Sequence, residues 1–511
     1  MQSVFDQGAC APCPASFNLA AYVLAPAATR PDKLALAILG AGQAERWTFA
    51  RLEAAVRGTA TGLLAQGLAP GDLVVLRLGN TVDFPIADLG AIAAGLVPVP
   101  TSAQLTAPEV ARMIASLRPA AILHAPGVAC PQTPCPVIST SALRAMRDLV
   151  PAPYAMGDPD RLAYVVFTSG TSGRPRAVAH AHRAIWARRM MHHGWYGLGG
   201  DDRLMHAGAF NWTFTLGTGL MDPWSVGATA LIPATGIAPH QLPGLMQQHE
   251  VTLFAAAPGV YRKILQAHPR IDLPHLRHGL AAGEKLSATI REGWRKATGG
   301  GAIHEAFGMS ECSTFISASP ASPAAPGALG APQQGRRVAL LAGDGTPVPL
   351  GAVGTIAVHA SDPGLMLGYL NAPEDTAARY SGDWFVTGDL GTMDASGQIT
   401  YQGRADDMMN AGGYRVSPIE VEAALADLPG ITEIGVTEVE VKTDARLIVA
   451  FYTGPQALPD DMLHQAAATR LARYKQPRAF LHVSDLPRNP NGKLQRRALG
   501  ALWEAHIVRQ A

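Results

Sequence analysis

Cysteine is scarce: five residues in a chain of 511, and an odd number. So few thiols exclude a disulfide framework and agree with a reducing compartment, so a cytoplasmic location is expected. Cys10 and Cys13 form a CxxC, but in a Pro/Ala-rich leader with no histidine nearby, which favours free thiols over a zinc site. An excess of either charge is also missing. The 41 basic and 40 acidic residues nearly cancel, removing any global attraction to nucleic acid or to an anionic membrane surface. Residues 1–13 lack a basic start followed by an apolar run and do not read as a secretory signal. The best membrane candidate, 89–100, is short and contains Pro98 and Pro100, so it reads as a buried helix running into a strand. Internal repeats and long low-complexity linkers are absent too.

The chain is too long for one ordinary core, so two or more packed units are expected. Between 35 and 150, helical patterns at 49–66, 83–94 and 107–117 alternate with β-branched runs at 73–78 and 120–123. That alternation predicts an α/β sheet, and it continues to about 318, with a buried strand at 163–167 and a helix at 184–193. From 327 to 402 the texture changes to short strands separated by turns such as Gly343-Asp344-Gly345, which predicts a small β-barrel-like subdomain. A compact α+β segment follows, with helices at 418–425 and 460–471 and a strand at 446–452. The expected division is therefore an N-terminal domain over 1–405 and a smaller C-terminal domain over 406–511.

Three clusters carry chemistry. Thr168-Ser169-Gly170-Thr171-Ser172-Gly173-Arg174-Pro175-Arg176 follows the strand at 163–167. Its hydroxyls, glycines and basic end describe a loop whose N–H groups can wrap polyphosphate oxygens, although it is not GxxxxGK[ST]; a plain Ser/Gly turn is the bland alternative. Phe307-Gly308-Met309-Ser310-Glu311 offers a ring for a purine, a hydroxyl for an α-phosphate and a carboxylate for Mg²⁺. Trp384-Phe385-Val386-Thr387-Gly388-Asp389 places an acid on a turn where it could take a ribose diol; alone, a capped turn explains it as well.

These clusters recur in order with Gly403-Arg404-Ala405-Asp406-Asp407-Met408-Met409-Asn410-Ala411-Gly412-Gly413-Tyr414-Arg415-Val416 and Pro487-Arg488-Asn489-Pro490-Asn491-Gly492-Lys493. Together they closely resemble the acyl-adenylate-forming superfamily of acyl-CoA synthetases, luciferases and peptide-synthetase adenylation domains, from Trp47-Thr48-Phe49 to Leu499. The resemblance implies ATP, Mg²⁺ and coenzyme A as reaction partners and a mobile C-terminal domain. It makes Thr168, Ser169, Gly170, Thr171, Ser172 and Gly173 with Arg176 the phosphate loop. Ala282, Gly283 and Glu284 would sandwich adenine with Phe307, and Ala306, Gly308 and Met309 would line the nucleotide beside it. Ser310 would contact the α-phosphate, Glu311 would hold Mg²⁺, and Asp389 with Arg404 would bind the ribose. Asp406 would be the hinge, Lys493 the adenylation lysine, and Gly412 with Gly413 part of the pantetheine tunnel.

The sequence departs from the family pattern in places. Arg176-Ala177 replaces the usual Lys-Gly and keeps the charge with a different geometry. Phe307 stands for the usual Tyr, Ser310 for Thr and Asn410 for Lys. The stretches 210–214, 223–228 and 315–317 are similar to those of benzoate-CoA ligases, so Phe210, Trp212 and Ala282 are expected to shape a short apolar acid pocket. A buried strand is the competing reading of aromatics at spacing two. The acid is expected to be aromatic, alicyclic or short aliphatic. Rival readings are an enzyme that loads a carrier protein and a non-catalytic nucleotide-binding homologue. The pattern ending in Lys493 is the one that bacterial lysine acetyltransferases modify in related synthetases, so such an enzyme is an expected partner. A homodimer is compatible with the sequence.

Overall fold

The computed structural model describes residues 1–8, 10–40, 42–168, 176–411, 414–442, 445–489 and 492–510. Its largest sheet has nine strands in the order Ala331–Pro332, Ser313–Ser317, Ile303–Met309, His278–Ala282, Leu253–Ala256, Arg203–His206, Thr229–Pro233, Leu34–Leu39, Ala44–Thr48. The strands from Leu34–Leu39 to Ile303–Met309 are parallel, and antiparallel pairs close both edges. Covering helices explain why Leu34–Leu39 is apolar at every position: both faces are covered, so alternation has no use there. A second sheet of four parallel strands has the order Val97–Pro100, Leu73–Arg77, Ala121–His124, Val137–Ser139. The α/β reading of this part of the chain holds.

The helix expected at 184–193 breaks up in the fold. The backbone turns helically over Arg183–Ala187 and Arg189–Met191, widens to a π-helical turn at His192–Tyr196, and ends at Gly197 with φ 58°. The aromatic alternation at 210–214 is not a strand either. It leads into a second π-helical stretch, Thr215–Met221, which is buried throughout.

The turn-rich stretch forms short antiparallel strands: Arg337–Leu341, Gly354–His359, Trp384–Met393, Tyr380–Ser381 and Ile399–Arg404. Its edge comes from Val4–Asp6, at the other end of the chain. Asp389 lies inside the ten-residue strand Trp384–Met393 and not on a turn, which corrects the sequence reading. The C-terminal α+β part is built on the hairpin Glu433–Lys442 and Ala445–Thr453, with Ala479–His482 parallel to the second strand. The helices Pro418–Leu425 and Asp460–Arg470 bury Val421, Leu425, Leu463 and Ala467 against it. Ser417 starts the first of these helices by accepting the Glu420 N–H.

Candidate active site

The motifs meet where the parallel strands end, the usual ligand edge of such a sheet. His278–Ala282 and Ile303–Met309 are neighbours with Ala282 opposite Ala306; the first strand ends there at Gly283, while the second runs on through Phe307 beside that turn. Gly283 has φ 98°, and a Cβ there would lie 2.7 Å from Cζ2 of Trp212. Trp212 is thus packed on the Ala282-Gly283-Glu284 turn, half-buried, with its ring 5.2 Å from Phe214. Phe210 goes elsewhere. It is 1% exposed and packs in the core 5.4 Å from Phe84, so it belongs to the core while Trp212 and Ala282 stand at the site edge.

Ile303–Met309 returns through Ser313–Ser317, with a register shift between Phe307 and Gly308. A Cβ on Gly308 would sit 2.0 Å from the Ser313 carbonyl oxygen, a backbone atom, so no larger residue fits there. This tight turn presents Ser310 and Glu311. His180 Nε2 donates to the Ser310 carbonyl at 2.7 Å, anchoring the turn to the strand Arg176–Ala181.

Glu311 is 7% exposed and accepts a hydrogen bond from the Tyr369 hydroxyl at 2.7 Å. Burial, and then the Glu311 charge, push the Tyr369 phenol up to about 12, so it stays a donor. Arg176 stands over this ring, its Cζ 4.9 Å from the ring centroid and its Nε 3.3 Å from Asp375. Thr168 faces Arg176 across the hairpin of Leu162–Thr168 and Arg176–Ala181. The loop candidates Ser169, Gly170, Thr171, Ser172 and Gly173 lie outside the described residues, as do Gly412 and Gly413. Hairpin base, Tyr369 and Glu311 thus form one column.

Asp389 and Arg404 are directly paired across two strands and their side chains meet at 3.2 Å. The Tyr401 hydroxyl donates to the other Asp389 oxygen at 2.8 Å, and the Tyr401 ring lies 5.5 Å from Phe307. Burial raises the Asp389 carboxyl above its usual range despite Arg404, Tyr401 and Lys493, each of which pulls it down. The charge of Lys493 therefore acts on this carboxyl.

Lys493 is exposed and sits in a loop closed by pairing of Arg488 with Leu494, its own N–H bound to Asn489 Oδ1 at 2.9 Å. Arg488 lies 3.4 Å from Glu284 and 3.0 Å from Glu433, and Arg262 pairs with Glu433, so this loop is tied to the Gly283 turn. Asp406 is held between Arg404 at 3.1 Å and Arg497 at 3.4 Å. Tyr369, Tyr401, His180 and Arg488 were not singled out from sequence. Only Arg488 had a visible signal, its place in the loop that carries Lys493.

A parallel α/β body with a glycine-tight turn at its strand ends, a paired Asp–Arg beside a ring, and a C-terminal loop bringing cations to that edge define a nucleotide-using enzyme of the two-part α/β class. Residues 24–370 match the family model of the AMP-binding enzymes and residues 420–493 that of the AMP-binding enzyme C-terminal domain, so the chain belongs to the AMP-binding enzyme family. A 3-hydroxybenzoate–CoA ligase of Aromatoleum sp. (strain CIB) is 29% identical, with 91% of this chain and 93% of that protein covered. The human mitochondrial acyl-coenzyme A synthetase ACSM2A is 27% identical, with 95% and 91% covered. Among solved structures, a benzoate CoA ligase from Burkholderia xenovorans LB400 superposes with a TM-score of 0.83 at 27% identity, over 95% of this chain and all 100% of that one.

Proposed function

We propose that this enzyme is a carboxylic acid–CoA ligase: it activates an aromatic, alicyclic or short aliphatic acid with ATP as an acyl-adenylate and transfers the acyl group to coenzyme A. The observation that carries the reading is the loop around Lys493, which Arg488 ties to Glu284 of the Gly283 turn, together with the Asp389–Arg404 pair that Tyr401 sets beside Phe307.

In the first half-reaction a carboxylate oxygen of the acid bonds to the α-phosphorus of ATP, and the bond to pyrophosphate breaks. Negative charge gathers on the phosphate oxygens. Lys493 and Arg176 supply fixed positive charge for it, and Ser310 supplies a hydroxyl. Tyr369 donates to Glu311 Oε1, so Oε2 is the oxygen that would hold Mg²⁺, whose chemistry there is to neutralise polyphosphate charge. Asp389 and Arg404 hold the ribose, and Phe307 covers the base. In the second half-reaction the thiol sulfur of coenzyme A bonds to the acyl carbon, AMP leaves with the former bonding pair, and the thiol proton goes to solvent. Thioester formation needs the Lys493 loop to withdraw, which requires the Arg404–Asp406–Arg497 chain to open.

A panel of carboxylic acids assayed for pyrophosphate release, with and without coenzyme A, tests the reading. Acid-dependent release and acyl-CoA formation are expected. A requirement for a carrier protein in place of coenzyme A would overturn the acceptor assignment, and no release with any acid would favour a non-catalytic homologue.

A further inference from the structure

Ser310 and Glu311 stand on the short turn between Ile303–Met309 and Ser313–Ser317, and two buried arginine–aspartate pairs from separate parts of the chain close on that turn. Arg188 lies between the helical turns Arg183–Ala187 and Arg189–Met191, and Asp222 follows the π-helical stretch Thr215–Met221. Asp222 accepts from Arg188 Nε at 2.8 Å and from one terminal nitrogen, and the Tyr196 hydroxyl donates to the same carboxylate at 2.7 Å. The other terminal nitrogen of Arg188 donates to the Ser313 hydroxyl. Gly217 admits this guanidinium, since a Cβ there would lie 2.3 Å from its central carbon.

Arg336 acts from the other flank. One terminal nitrogen pairs with Asp362, both side chains buried, and the other donates to the Thr314 carbonyl at 3.2 Å. Asp362 opens the loop 362–366. It accepts the Gly364 N–H at 2.8 Å, and at the end of the loop the Met366 N–H donates to the Glu311 carbonyl at 2.8 Å. Arg336 thus staples the strand after the turn to the loop that holds Glu311. With His180 on the Ser310 carbonyl, the backbone of both Ser310 and Glu311 is held from outside the turn.

Apolar side chains of similar volume commonly match or exceed a buried ion pair in stability, so two such pairs on one turn point to a demand for position. The turn is also strained. Ser313 has φ 61°, the left-handed region, where a serine stays only when its surroundings hold it. The contact from Arg188 falls on this residue. A guanidinium can span Asp222 and Ser313 at once because its donors form a rigid planar fork.

Resting on the ligase reading above, we infer that Arg188, acting through Ser313, and Arg336, acting through Thr314 and the Asp362 loop, are positioning residues for adenylation. They fix the turn before ATP arrives, so that the Ser310 hydroxyl and the Glu311 carboxylate already stand where the α-phosphate and its Mg²⁺ are to be met. Groups set in advance stabilise developing charge without reorganising. Thioester formation holds no polyphosphate and depends on them less.

Two variants test this. Ser313→Gly removes the hydroxyl that Arg188 holds and relieves the left-handed backbone, and Arg336→Met with Asp362→Leu replaces the second pair by apolar side chains. Amide hydrogen exchange of the unliganded protein across 309–314 should speed up by about tenfold or more in each. The kcat for acid-dependent pyrophosphate release should fall by about tenfold to a hundredfold, while thioester formation from supplied acyl-adenylate is largely spared. If the double variant does not fold, Ser313→Gly decides. Unchanged exchange, unchanged pyrophosphate release or equal losses in the two half-reactions would each overturn the inference and leave the ligase reading intact. Release with no acid by the wild-type enzyme would overturn the ligase reading and the inference together.

Discussion

Lys493 is a solvent-exposed turn lysine, the commonest fate of such a residue, yet its charge acts on Asp389, a carboxyl 5% exposed in the strand Trp384–Met393. Removing one preorganised charge donor from a developing phosphate charge typically costs about a hundredfold or more. Lys493→Ala should slow acid-dependent pyrophosphate release by at least about that factor, and acetylation of Lys493 should have the same effect, because it removes the same charge. Thioester formation from supplied acyl-adenylate should be largely spared. Rapid-quench measurement of the two half-reactions checks this; equal loss in both would mean that the lysine serves structure. The candidates Glu311, Ser310, Asp389 and Arg404 were legible as residues because the motifs around them are contiguous. Their partners were not. Tyr369 reaches Glu311 from 58 positions along the chain, and no local pattern marks it.

At the scale of elements, the turn 405–407 joins Ile399–Arg404 to the C-terminal part, and two consecutive arginines grip it. Arg497 holds Asp406, while Arg496 reaches Asp407 at 3.9 Å and binds Glu422 through both terminal nitrogens at 2.8 and 3.2 Å. Both arginines lie a few residues beyond Lys493, so the loop that delivers the lysine also clasps the turn about which it must withdraw. Asp406→Pro fixes φ near −65° at this turn, so the backbone rotation that must follow opening of the Arg404–Asp406–Arg497 chain is blocked. Adenylation should survive in this variant and thioester formation should fall, by about tenfold or more for a conformational step of this kind. Single-turnover assays of each half-reaction distinguish this from a general loss of fold, which would lower both.

For the whole molecule, one buried group makes stability depend on pH. Asp88, on the helix Asp83–Ala93, has both carboxyl oxygens buried without partners among the described residues, and burial alone raises its pKa from 3.8 to about 7. Between those values the folded chain keeps a proton that the unfolded chain has lost. Stability from this group is therefore full below about pH 4 and falls as pH rises through 7, by on the order of 4 kcal/mol in all. Asp88→Leu, close in volume and apolar, should raise Tm more at pH 8 than at pH 5. Thermal melts of both proteins at the two pH values check it, and an equal change at both would show that Asp88 does not titrate in the folded state.

Sequence alone determined the α/β class, the change to short antiparallel strands after 327, the compact α+β end and the order of the motifs. These rest on hydrophobic period, turn chemistry and contiguous residues, all of which act over a few positions. Tertiary structure alone decided which of those residues meet. Phe210 and Trp212 are two apart and alike in sequence, but the backbone turns there into a π-helical stretch, so one ring enters the core at Phe84 and the other rests on Gly283. The anchoring of Ser310 by His180, the pairing of Glu311 with Tyr369 and the reach of Arg488 to Glu284 join positions 58 to 204 residues apart. Such contacts are set by how sheets and helices close on one another, and a one-dimensional pattern does not carry that information.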